Sequence, residues 1–169
     1  MPSAMNELQV TTSAALAHAT TSAWRRADWQ RLWLAMQAQK RAWRTLALVP
    51  AGAGATPGLM QHVATTLAHT GMAHLGAPIH VADATEIQLE QLVQFTDELQ
   101  RYTEGAGQIL VALPALNESV TALSLAQSSD CALLCVVLDR MAVAQARETV
   151  SRIGAKRFIG SAVFRAPPL

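Results

Sequence analysis

The chain has 169 residues, enough for one domain with a sizeable core and an N-terminal appendage. Hydrophobic residues make up 51% of it and charged residues 15%, which excludes a disordered chain and favours strands buried on both faces. A net charge of +1 supplies no overall field for nucleic acid, and none is expected as a partner.

Residues 1–10 lack the charged start and apolar run of a signal peptide. No stretch approaches the roughly 18 apolar residues of a transmembrane segment, so a cytoplasmic location is expected. Residues 1–21 are rich in Ala, Ser and Thr and suit a loose arm or weak helix. Ser22 is placed to cap a helix over residues 23–41, in which Trp29, Leu32, Trp33 and Met36 form one apolar stripe at i, i+3, i+4 and i+7. Six of the thirteen basic residues lie between Arg25 and Arg44, with Asp28 the one acid among them. Trp and Arg are enriched at interface hot spots, so Trp24, Arg25, Trp29 and Trp33 are candidate partner-binding residues. The same stripe also suits docking of the helix on its own domain, and both readings stay open. The division expected is an arm and helix over residues 1–40 and an α/β domain over residues 41–169.

Short apolar runs then alternate with segments of helical period. Strands are predicted at residues 45–49, 78–81, 108–113, 131–138 and 157–164. Helices are predicted at residues 59–70, closed by Gly71, at 86–102, from an N-cap at Asn117 to about 128, and at 142–153, closed by Gly154. Residues 131–138 carry no charge and belong at the centre of a sheet. Five strands alternating with helices predict an α/β fold with a doubly wound, mainly parallel sheet of five or more strands. Cys131 and Cys135 stand four apart, on one face of their strand. They read as small buried hydrophobes, with neither zinc ligands nor a disulfide framework in view.

The first strand, a loop containing Gly52, Gly54 and Gly58, and a helix make the arrangement that binds phosphate through backbone N–H groups. A working loop of this kind also needs a lysine on the β/γ-phosphates and a hydroxyl on magnesium. No lysine lies between Arg44 and Lys156.

In the order of its elements the chain resembles the cytoplasmic domain of bacterial tyrosine kinases that serve polysaccharide export, which are akin to the deviant-Walker ParA/MinD ATPases. Pro57-Gly58 and Val63-Ala64-Thr65-Thr66-Leu67-Ala68 match the family's loop and helix, but Leu59 to His62 replace its Gly-Lys-Ser/Thr. Ala82-Asp83-Ala84 stands where the family has Asp-Ala-Asp, and Ala112 where it has the Walker B acid. The tyrosine-rich tail is missing, Tyr102 being the single tyrosine. The resemblance therefore implies a P-loop NTPase-like fold without catalysis.

Other chemistry finds little support. Asp83 fits a turn cap better than a metal ligand, and His62, His69, His74 and His80 lack companions for a metal site. Asp97-Glu98 reads as a solvated helix face. No catalytic residue, metal or cofactor is expected; Gly52, Gly54 and Gly58 are the candidates for residual anion binding. The expected function is a pseudo-ATPase scaffold that binds a protein partner, with a homodimer expected. The resemblance points it to exopolysaccharide or cellulose production, or to positioning of an envelope machine. The alternatives are a nucleotide sensor without hydrolysis and a cell-division regulator binding a filament-forming GTPase.

Overall fold

A computed structural model describes residues 26–55, 58–105 and 107–165. Five strands, β1 (Thr45–Pro50), β2 (Ile79–Asp83), β3 (Gln108–Ala112), β4 (Cys131–Leu138) and β5 (Phe158–Arg165), form one sheet in the order β2-β3-β1-β4-β5. Every pairing is parallel. The helices are α1 (Ala27–Ala38), α2 (Leu59–Leu75), α3 (Leu92–Glu104), α4 (Val120–Ser128) and α5 (Val143–Ile153).

Right-handed crossovers dictate which face each helix covers. The chain moves one way across the sheet through α2 and the other way through α3, α4 and α5. Two cores result, divided by the period-2 alternation of the strands. Leu46, Leu48, Cys131, Leu133 and Cys135 pack on the α2 face with Met60, Val63 and Leu67. Ala47, Val49, Ile109, Val111 and Ala132 pack on the other face with Phe95, Leu99, Leu125 and Ile153. The two cysteines share a face, as their spacing predicts; both are free and buried.

Helix α1 joins the α2 face. Trp33 is 1% exposed and belongs to that core with Met36 and Trp43. Its ring meets Trp43 edge-on at 6.3 Å, and Trp29 lies 5.7 Å from Phe164 of β5. The helical extension and the sheet thus share one core within the described residues. Docking is the role the structure gives this stripe.

Several boundaries differ from expectation. Gly71 does not end its helix; α2 continues to Leu75 and stops at Gly76, whose φ of 65° is left-handed. Gly71 is instead where α1 crosses closely, since a Cβ there would stand 2.5 Å from the Trp33 ring and would also meet the Ile79 side chain. The cap of α4 is Ser119, not Asn117: Ser119 is extended and its hydroxyl accepts from the Thr121 N–H at 3.3 Å. The segment predicted as a helix from residue 86 opens with a capping box at Gln88 and a 3-10 turn, Leu89–Gln91, before α3 begins. The Ser22 cap lies outside the described residues; among them α1 begins at Ala27.

The amino ends of the strands are tied together by polar contacts. Asp130 Oδ2 accepts from the N–H groups of Arg44 (2.7 Å) and Thr45 (2.9 Å), fixing the start of β1 against β4. Arg41 donates to the carbonyls of Lys156 (2.6 Å) and Asp130 (2.9 Å). Arg44 reaches the carbonyl of Thr103, and Arg157 that of Ser129. Burial pushes the Asp130 carboxyl up, but the N–H groups of Thr45 and Arg44, the Thr45 hydroxyl and the Arg44 charge together outweigh it and hold it below its ordinary value of 3.8.

Candidate functional site

In an open parallel sheet, ligands bind beyond the carboxyl ends of the strands, where the strand order reverses. Here the chain leaves β1, the central strand, and its neighbours β3 and β4 run out to either side. The loop after β1 therefore occupies the position that a phosphate site would take.

That loop is held by contacts from β4, from the segment after it and from α5. Ala51 N–H donates to the Cys135 carbonyl at 2.8 Å, and the Thr149 hydroxyl of α5 donates to the Ala51 carbonyl at 3.0 Å. Gly52 is buried, with the side chain of Gln145 lying over it so closely that a Cβ would overlap the amide. Gly54 has φ of 107°, and a Cβ there would stand 2.9 Å from the Arg140 carbonyl oxygen. Gly58 (φ 79°) caps α2 without a side-chain bond, and its carbonyl accepts from His62 N–H. The three glycines predicted for anion binding are thus unequal. Gly52 is covered by Gln145, Gly54 is exposed with the Arg140 backbone beside it, and Gly58 stands clear at a helix start.

The second and third signature positions come together. Asp83, the last residue of β2, pairs with Ala112, the last residue of β3. Asp83 Oδ1 accepts from the Thr85 N–H (3.0 Å) and hydroxyl (2.6 Å), which makes it the cap of its own turn. Ala112 supplies no carboxylate, and its carbonyl accepts from Ala84 N–H. Beside the loop, Gly52, Leu116, Gln145, Glu148 and Arg152 line a cleft of about 60 Å³. Ligand pockets for drug-sized molecules run from about 300 Å³ upward, so this one admits water-sized groups only.

Arg140 is the cation that sequence order concealed. It follows β4, some eighty residues after the loop, yet its backbone packs against Gly54. Only the parallel topology, which brings every strand's carboxyl end together, could have revealed it.

The remaining candidates scatter. Among the described residues, no three His, Cys, Asp or Glu side chains are grouped for a metal. His80 packs edge-on to Tyr102 at 4.6 Å, with the phenol oxygen 3.4 Å from Nδ1. His69 Nδ1 and Glu98 Oε2 are buried without a partner among the described residues. Glu98 corrects its expectation: it is 9% exposed, since it lies on the helix flank shared with Phe95 and Tyr102, whereas Asp97 is solvated. Burial pushes the Cys131 thiol up to about 11 and the Cys135 thiol up to about 12, so both stay protonated near neutrality. Of the predicted partner-binding residues, Trp33 is consumed by the core and Trp29 is half-buried against Phe164. Trp24 and Arg25 lie outside the described residues.

No protein-family model matches the sequence, and no curated protein matches it. Among solved structures, the BceF tyrosine kinase domain is similar at a TM-score of 0.56, with 16% sequence identity over 80% of this chain and 73% of that one. Among the described residues, no helix is long and apolar enough to cross a membrane. The structural likeness shows an architecture, and the chain accordingly has the P-loop-like α/β fold, with its five parallel strands and helices on both faces.

Proposed function

We propose that the chain is a non-catalytic pseudo-ATPase, a degenerate relative of the ParA/MinD-like ATPases that serves as a protein-binding or regulatory scaffold. The observation that carries this reading is the closure of the loop after β1. The Gln145 side chain lies over Gly52, which is buried, and the Arg140 backbone packs beside Gly54. Phosphoryl transfer rests almost wholly on electrostatic stabilisation and positioning. Each missing stabilising donor costs about 3 kcal/mol of barrier, and here the loop lysine, the magnesium hydroxyl and the β3 carboxylate are all replaced. The similar BceF domain is a tyrosine kinase domain; on the resemblance in element order, the setting proposed is exopolysaccharide or cellulose production, with a second copy or another protein as the partner.

Calorimetric titration with ATP and magnesium, together with a phosphate-release assay, tests the reading. No heat of binding and no turnover above buffer are expected. Turnover at an ordinary ATPase rate would overturn it. Micromolar binding without turnover would favour the second reading, a nucleotide sensor, for which the uncapped first turn of α2 at Gly58 is the supporting feature.

A further inference from the structure

The sequence places most of its clustered basic charge in residues 25–44, but the fold redistributes it. Helix α1 runs antiparallel to the strands, so Arg26 and Arg31 go to one end of the molecule and Lys40, Arg41 and Arg44 to the other. The connection from α5 to β5 then brings Lys156 and Arg157 to the same amino end, joined through the bond from Arg41 to the Lys156 carbonyl. Arg101, in the last turn of α3, lies toward the same end.

Two carboxylates at this end do not balance these cations: Asp130, which accepts from the N–H groups of Arg44 and Thr45, and Glu104, the last residue of α3. The ion pair formed among the described residues, Arg31 with Asp28 at 3.7 Å, lies on α1 and involves none of these cations. Part of the charge complements helix C-termini, because Arg44 and Arg157 donate to the carbonyls of Thr103 and Ser129. Capping explains those guanidiniums but leaves three or more of each one's five N–H donors unused, and it does not involve the exposed Lys40 and Lys156 ammonium groups. The opposite end carries Asp83, Glu86, Glu118 and Asp139 on the loops after β2, β3 and β4, with Arg140 and Arg147 among them, so the excess of cations lies at the amino end.

We infer that the amino end is a docking face for an anionic lipid surface. A planar anionic surface is recognised by charge without a groove, and polybasic faces bind it additively. Leu75, 48% exposed at the end of α2, adds an apolar side chain to the same end. Single-stranded nucleic acid is disfavoured because it wants exposed rings for stacking, while Trp33 and Trp43 here are buried.

Cosedimentation of the full chain with phosphatidylglycerol-containing vesicles, against pure phosphatidylcholine vesicles, tests this. Binding to the anionic vesicles alone is expected, weakening with salt. The double variant Lys40→Glu, Lys156→Glu, whose ammonium groups make no hydrogen bond among the described residues, should lower the partition coefficient about a hundredfold. The double variant Arg140→Glu, Arg147→Glu, with the same change in net charge at the opposite end, should retain most of the binding. Equal binding to both vesicle types, equal loss in both variants, no loss in the lysine variant, or tighter binding to duplex DNA than to vesicles would each overturn the assignment.

Discussion

At the amino ends of the strands, bulky and charged side chains tie distant segments together; at the carboxyl ends, small residues are held by a few short polar contacts. The amino end has Trp33 wedged among Trp43, Gly71 and Ile79, and Asp130 and Arg41 bridging segments some ninety to one hundred and fifteen residues apart. The carboxyl end has a loop of Ala and Gly, Asp83 capping its own turn and a cleft too small for a nucleotide. In this architecture the carboxyl end is where ligand chemistry is expected. The contrast teaches that one sheet can carry long-range side-chain clamps at one end and a loop of small residues at the other.

Substitutions at the two ends should therefore differ in kind. Trp33→Ala should cost about 3–5 kcal/mol, because it empties a fully buried ring site; urea unfolding followed by circular dichroism measures it. A loss under 1 kcal/mol would mean that α1 is not part of the core. Gly71→Ala should cost about 1–3 kcal/mol by forcing α1 and α2 apart, and the far-side control Gly58→Ala about 1 kcal/mol through its left-handed φ alone. If the Gly58 change also abolished a measurable ATP affinity, the loop would have a ligand after all.

Asp130→Asn should cost about 1 kcal/mol by weakening two charge-assisted bonds to backbone N–H groups, whereas Asp83→Asn, confined to one exposed turn, should cost less than half as much. The sign with pH follows from the lowered folded value at Asp130. Its stabilisation is fully present above the ordinary value of 3.8 and is lost as pH falls through the lower folded value. Wild type should accordingly lose stability faster than Asp130→Asn below about pH 4; parallel acid limbs would remove Asp130 as the clamp. The smallest effect is kinetic and non-destructive: with thiols raised to about 11 and 12, iodoacetamide at neutral pH should label neither cysteine in the folded chain. Rapid labelling, read by mass spectrometry, would show that the β4 centre opens.

Much of this architecture was legible from residue order. The strand at residues 131–138 was found to the residue, since an uncharged apolar run suits a strand paired on both sides, although β1 and not β4 is the middle strand. Gly154 closes α5 as predicted. The failures share a cause. Gly71 reads as a stop unless the crossing helix is known, and Ser119 and Asn117 are chemically equivalent caps until backbone angles choose between them. Glu98 reads as solvated because its neighbour Asp97 is.

By itself, the sequence determined the alternation of strands and helices and the absence of a lysine between Arg44 and Lys156, because periodicity and residue identity are local properties. Tertiary structure alone decided that Gln145 lies over Gly52 and the Arg140 backbone beside Gly54, that Trp33 is core and not surface, and that Lys156 and Arg157 join Lys40 to Arg44 at one end. Those facts depend on which strand ends are neighbours. In a parallel sheet that is set by crossover connections, not by distance along the chain.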